Sequence, residues 1–407
     1  MDSIQKIIGG ICAAQGFRAA GMHCGIRKNQ QKKDLALVVS DVPCAAAAVY
    51  TQNKVYGAPI TVTRENIQNG IAQAIICNSG NANTCNADGV EKAELTCALT
   101  ARALGLTPSD IVIASTGVIG QPIVMEPIAS GITQLVPLLS QNGGTDAAEA
   151  IMTTDTVAKQ VAYTAVIGEK TVTVGAIAKG SGMIHPNMAT MLSFVTSDVS
   201  ITPKLLQKAL STVVTDTFNM VSVDGDTSTN DMVAVLANGM AKNSKIIEEN
   251  EDYAVFCKML FYTLQDISRL IAGDGEGATK LLTCTVSGAS QKQLARDIAK
   301  SVVCSSLVKA AMFGADANWG RILCAIGYTP GDFQVDKIDV SIASEAGSID
   351  VCKNGAGIPF SEETAKTVLL EKEIKLLINM NQGAFDATAW GCDLTYDYVK
   401  INGDYRT

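Results

Sequence analysis

The run Lys179-Gly-Ser-Gly-Met-Ile-His-Pro-Asn-Met-Ala-Thr190-Met-Leu-Ser-Phe194 decides how this chain is read. Two glycines, a proline and an asparagine break regular structure before Ala189-Thr190. The chain then resumes as an apolar strand, expected over Met191–Thr196. A hydroxyl residue at the head of a strand, behind a turn, suits an N-terminal nucleophile released by self-cleavage. The α-amine freed by such a cut can act as base for its own side chain. Its pKa lies near ~7.7–8.0, so a deprotonated fraction exists at neutral pH. An ordinary strand threonine after a Gly-rich turn has the same local sequence, so the rest of the chain has to decide.

A scarcity narrows the chemistry. Only two histidines are present, His23 and His185. A multi-histidine metal site is therefore excluded, and a Ser-His-Asp or Cys-His site would have to use one of the two. His185 precedes Pro186, which favours extended backbone in a loop, and neither histidine has an evident acid beside it in the sequence. Both read as structural, and the base is expected not to be an imidazole.

At 407 residues the chain exceeds one ordinary core, so two lobes are expected. A composition of 47% hydrophobic and 18% charged residues marks a globular protein rather than a disordered one. The net charge is −8 and no Lys/Arg block stands out, so nucleic acid is not an expected partner. No apolar run is long enough to span a bilayer, and the N-terminus does not resemble a secretory signal. Twelve cysteines without a Cys-x-x-Cys pair disfavour a zinc ribbon or redox dithiol and fit a reducing cytoplasm. Cys44, Cys77 (at a strand end) and Cys324 (in a helix) read as small buried hydrophobes.

Along the chain, apolar runs predict strands at Leu35–Ser40, Ala72–Cys77 and Ile111–Ala114, the last stopping at Ser115-Thr-Gly117. Helical spacing covers Val90–Leu104, Ile123–Leu139, Pro203–Thr215 and Asn250–Ala272. Val157–Val166 and Thr171–Ala178 form a hairpin around Gly168-Glu-Lys. Beyond Lys280–Ser287 come helices at Gln291–Val303, Ser305–Met312 and Asn318–Tyr328. Four short strands close the chain: Lys337–Ile342, Ser348–Cys352, Glu373–Asn379 and Phe385–Trp390. The expected fold class is α/β, an α+β sandwich in which helices cover sheets. Four turns dense in Gly, Asn, Asp and Thr follow these elements: Asn78–Asn83, Ser115–Gly117, Asp224–Asp231 and Gly273–Gly277. None is a Walker loop, a Rossmann fingerprint or an EF-hand, so neither a metal nor a nucleotide cofactor is expected.

Taken in order, these motifs carry a resemblance. They are Gly16-Phe-Arg-Ala-Ala-Gly21, Asn78-Ser-Gly-Asn-Ala-Asn83, Ser115-Thr-Gly-Val-Ile-Gly120 and Met152-Thr-Thr-Asp-Thr156, followed by the opening run. Val223-Asp-Gly-Asp-Thr-Ser-Thr-Asn-Asp231, Gly273-Asp-Gly-Glu-Gly-Ala-Thr279, Ala315-Asp-Ala-Asn-Trp-Gly-Arg321 and Asn402-Gly-Asp-Tyr-Arg-Thr407 complete the set. Nearly end to end, the chain resembles the ornithine acetyltransferases of arginine biosynthesis, also called glutamate N-acetyltransferases. Gly10-Ile-Cys-Ala-Ala-Gln-Gly departs from the family's usual Thr-Ala-Pro, remote from any matched site position.

The resemblance implies a self-cleaving, N-terminal-nucleophile type of fold. The cut would fall between Ala189 and Thr190, giving an α chain (1–189) and a β chain (190–407) that assemble as an α₂β₂ heterotetramer. Thr190 would accept the acetyl group as an ester, and Thr116 and Gly117 would form the oxyanion hole. Thr153, Lys179, Thr190, Glu276, Asn402 and Thr407 match substrate-binding positions. The implied reaction moves acetyl from N2-acetylornithine to L-glutamate. Many members also accept acetyl-CoA while others do not. No residue here decides between them, and the bifunctional form is the expectation. Two rivals remain at this stage: a self-processed amidase or aminopeptidase of related fold, and a small-ligand binding protein.

Overall fold

The computed structural model describes residues 4–185 and 191–404. Two sheets organise them. The first has nine strands, with Phe17–Met22 pairing onto Leu35–Tyr50 beside the main path. That path runs Gln5–Ile7, Lys159–Ile167, Lys170–Lys179, Leu192–Ser197, Met232–Ala237, Leu35–Tyr50, Ile71–Asn81 and Ile111–Val118. The second sheet has seven strands, from Ala356–Gly357 through Gly347–Lys353, Asp339–Ser344, Glu373–Asn379, Leu281–Ala289 and Phe385–Cys392 to Val221–Ser222.

The first sheet is buried on both faces. Along Met232–Ala237, Val233 and Val235 enter the core shared with the second sheet, whereas Met232, Ala234 and Leu236 enter a separate core on the other face. Period-2 alternation therefore appears here as an unbroken apolar run rather than as apolar/polar alternation. Helix Glu251–Gly273 fills the space between the sheets, burying Phe256, Leu260, Leu264, Ile267 and Ile271. Asn250 starts it by accepting the Tyr253 amide at 3.0 Å, and Glu251 and Asp252 complement the positive end of its dipole. Gly144–Ala150, Ala58–Asn66, Gly89–Leu104 and Met125–Leu135 pack as helices around the sheet's other strands. The expected sandwich of sheets covered by helices is the observed architecture. Among the described residues, no helix is long and apolar enough to cross a membrane.

Local signals were legible where the backbone needs a particular residue. Gly105 ends its helix in the left-handed region (φ +72°), its amide bonded to Ala101. Gly168 (φ +54°) and Glu169 (φ +61°) form the two-residue turn of the Lys159–Ile167/Lys170–Lys179 hairpin. Positive φ at both positions is what a turn matched to strand twist requires.

Several expectations need correction. The strand from Ile111 does not stop at Ser115; it continues to Val118. Its neighbour continues to Asn81, because parallel pairing carries both through their Gly and Asn residues. Cys77 accordingly lies inside a strand, and Cys324 is exposed rather than buried. Strand Met232–Ala237 and helices Ala58–Asn66, Gly144–Ala150, Glu362–Leu369 and Tyr396–Gly403 were not anticipated. His23 does have an acid partner: its Nδ1 lies 3.2 Å from the buried Asp34 carboxylate, ten residues away along the chain.

Candidate active site

The dense turns converge where the two sheets meet. The chain leaves the second sheet at Val221–Ser222, turns through residues 224–231 and enters the first sheet at Met232. A cavity of about 320 Å³ lies at this seam. Its lining includes Thr116, Gly117, Thr153, Lys179, Glu276 and Asn402, six of the residues singled out by sequence. Ala189, Thr190 and Thr407 lie outside the described residues. The described chain resumes with Met191, whose carbonyl accepts the Met232 amide at 2.9 Å, and Leu192, which pairs in register with Lys179.

One wall is the end of the Ile71–Asn81/Ile111–Val118 pair. The register slips between Gly80 and Asn81, and Gly117 sits at φ +132°. A Cβ on Gly117 would lie 2.4 Å from the Gly80 carbonyl carbon, so only glycine lets the two backbones approach this closely. Asn230 ties this wall to the 224–231 turn. Its side-chain amide donates to the Ala82 carbonyl at 2.5 Å and the Ser115 carbonyl at 2.9 Å. Its oxygen accepts the Thr84 and Thr229 hydroxyls at 2.7 and 2.6 Å, so the buried Asn230 amide is fully used.

A second wall is held by Lys159, which no motif identified. Its side chain is wholly buried, and its ammonium donates to Asp155 at 2.7 Å and to Asp274 at 2.5 Å. Asp155 also accepts the amides of Thr153 (3.0 Å) and Gly180 (2.6 Å). Asp274 accepts the Thr156 amide at 3.1 Å and the Thr156 hydroxyl. Thr153, the start of the Gly180–Ser181 turn and the loop bearing Glu276 are thereby fixed to one charged cluster. Burial alone would raise the Asp155 carboxyl. Lys179, Lys159 and the Thr153 amide more than offset it, bringing it to about 2. Burial lowers the Lys179 ammonium, and Asp155 and Asp231 oppose that shift.

The third wall comes from the turn itself. Asp224 accepts the amides of Met183 (2.6 Å) and Ile184 (2.9 Å). Glu276 lies against Gly182, where a Cβ would come within 2.3 Å of its carboxylate. Asn402, on the terminal helix, donates to Glu276 at 2.7 Å. Asp231 is buried beside the same seam with one carboxyl oxygen unpartnered among the described residues. Desolvation pushes its carboxyl well above the usual range, against a Ser228 hydrogen bond and the Lys179 charge.

His185 is excluded from acid–base work at neutral pH. Burial and the nearby Lys300 lower it to about 4, leaving a neutral ring beside Ser222 (3.1 Å) and Cys304 (3.5 Å). The cavity thus offers hydroxyls, backbone amides, a cation and an anion in a space the size of a small amino-acid derivative.

Comparison with known proteins fits this arrangement. The ArgJ family pattern matches residues 18–407. An arginine biosynthesis bifunctional protein ArgJ of Clostridium acetobutylicum is 50% identical over 392 residues, 96% of each chain. Its counterpart from Bacillus subtilis is 47% identical over 408 residues, spanning 100% of this chain and 98% of that protein. The crystal structure of arginine biosynthesis bifunctional protein ArgJ from Bacillus halodurans is 49% identical with a TM-score of 0.51. It covers 53% of this chain and 100% of that one. A family match over nearly the whole length, with relatives half identical throughout, means that this chain belongs to the ArgJ family, the acyltransferases of arginine biosynthesis.

Proposed function

We propose that the chain cleaves itself between Ala189 and Thr190 and then transfers acetyl from N2-acetylornithine to L-glutamate through an ester on Thr190. The observation that carries this reading is the convergence of Thr116, Gly117, Thr153, Lys179, Glu276 and Asn402 on one cavity. Leu192, two residues after Thr190, pairs with Lys179 in the same wall. The solved relative adds support: its whole chain spans 53% of this one, and residues 190–407 are 218 of the 407 residues.

The Thr190 hydroxyl attacks the acetyl carbonyl while its own α-amine takes the proton. The tetrahedral oxyanion meets donors at Thr116 and Gly117, each worth about 3–4 kcal/mol in the transition state. The C–N bond then breaks, ornithine departs with the proton, and the amine of glutamate attacks the ester in the reverse sense. Lys179 holds the α-carboxylate of the bound amino acid. Glu276, steadied by Asn402, faces the distal ammonium of ornithine, and Thr153 and Thr407 complete the substrate contacts. The two chains assemble as α₂β₂ in the cytoplasm.

Denaturing gels of wild-type protein should show two fragments, and Thr190→Ala one inactive, uncleaved chain. Intact mass after acetylornithine should show one added acetyl group on the C-terminal fragment. A wild-type polypeptide that stays whole while transferring acetyl would rule out the N-terminal nucleophile.

A further inference from the structure

A second cavity, of about 670 Å³, opens beside the first and shares Gly117, Thr153 and Thr154 with it. An amino-acid derivative fills the smaller space and leaves this one without a role. Its outer lip is the loop Ile26-Arg-Lys-Asn-Gln-Gln-Lys-Lys33, which carries four cations and no acid in a chain of net charge −8. Lys33 is spoken for by Asp146 and Glu149. Lys28 and Lys32 line the cavity, are exposed and make no ion pair among the described residues; Asp404 is the one acid of the lining.

The loop is braced rather than free. At its base the buried Asp34 accepts the amides of Cys24 (2.6 Å) and Arg27 (2.9 Å). The His23 ring reaches the Lys32 carbonyl at 3.0 Å, and the Lys32 amide bonds the Asn29 carbonyl at 3.2 Å. Two unpaired ammonium groups are thus held over a space that leads to Gly117. Acetylornithine, with one carboxylate and one ammonium, has no use for them. A polyanion does, because lysine binds phosphate as a point charge.

We infer that the Ile26–Lys33 loop binds the phosphate groups of a large thioester donor of the coenzyme A type, whose acetyl end passes Gly117 to reach the acyl site. This rests on the acyl-transfer reading above. The step is an exchange of acyl partners: the Thr190 hydroxyl attacks the thioester carbonyl, a C–O bond forms and the C–S bond breaks. The hydroxyl proton leaves on sulfur as a thiol, with no oxidant or reductant involved.

The test compares acetyl-CoA with N2-acetylornithine as donor to glutamate, in wild type and in the double variant K28E/K32E. The variant should raise the KM for acetyl-CoA tenfold or more and leave the KM for acetylornithine within twofold. Salt should raise the wild-type KM for acetyl-CoA only, since it screens exposed charges. S-acetylpantetheine, which lacks the nucleotide phosphates, should show the same high KM with both proteins. An unchanged KM for acetyl-CoA in the variant, equal losses with both donors, or no turnover of acetyl-CoA by wild type would each overturn the inference. Absence of acetylornithine transfer by wild type would instead overturn the reading on which it rests.

Discussion

The two sheets differ in how they meet water, and the difference separates chemistry from support. In the first sheet, Lys170–Lys179 and Leu192–Ser197 are buried almost throughout, and polar side chains gather only where these strands end. In the second, Glu373–Asn379 alternates: Ile374, Leu376 and Ile378 point inward, Lys375 and Leu377 outward. A sheet covered on both faces can exclude water from whatever it holds at its ends, where electrostatic effects are strongest. A sheet with one solvated face serves as a buttress. Glu276 and Asn402, from loops and a helix next to the second sheet, reach across to the first.

If that division holds, variants should sort by region. Lys159→Met breaks the one link that serves both sides, leaving Asp155 and Asp274 buried without their counter-ion. It should cost about 3–5 kcal/mol in urea unfolding and lower activity as well; a midpoint near wild type would mean the cluster is not an ionic clamp. Gly117→Ala should lower kcat about 10²–10³-fold, the equivalent of losing an oxyanion donor, and a kcat within threefold of wild type would remove Gly117 from the site. Leu376→Ala, in the buttress, should cost about 3 kcal/mol of stability by opening a cavity. Its kcat at 25 °C should stay within twofold, and a larger fall would show that the buttress shapes the site directly.

The smallest effect concerns pH. Asp155 titrates near 2 when folded, below its ordinary 3.8. Its contribution is therefore complete above pH ~4 and is lost as pH falls through 2, on the order of 2 kcal/mol. Unfolding midpoints at pH 4 and pH 2 should differ by more in wild type than in Asp155→Asn. Equal differences would place the acid sensitivity elsewhere.

How much was legible in the sequence followed the same division. The strands of the second sheet and the long helix Glu251–Gly273 read within a few residues, because alternation and capping are local. In the first sheet, Met232–Ala237 was missed. Its apolar run follows a turn whose polar residues drew attention to themselves, and its neighbours in space are remote in sequence. The site positions came from the family resemblance, not from spacing. Lys159 gave no local signal: it lies four residues from Asp155, but its other partner, Asp274, is 115 residues away. The basic run Arg27–Lys33 was in plain view yet passed as an unremarkable stretch, since four cations acquire meaning only beside a cavity.

The order of strands in the first sheet has one more consequence. Leu192–Ser197 and Met232–Ala237 lie in its middle, with strands from before residue 189 on both sides: Lys170–Lys179 on one, Leu35–Tyr50 on the other. A cut after Ala189 would therefore divide the covalent chain but not the sheet. Each product would be a torn fabric on its own, one missing its centre and the other presenting two raw strand edges that invite aggregation. The halves should resist exchange: cleaved protein from isotopically heavy and light cultures, mixed under native conditions, should yield no hybrid pairs until the sheet itself unravels. Production of the two segments from separate messages should likewise give insoluble material, because the backbone has to be continuous when the sheet is woven even if it need not remain so.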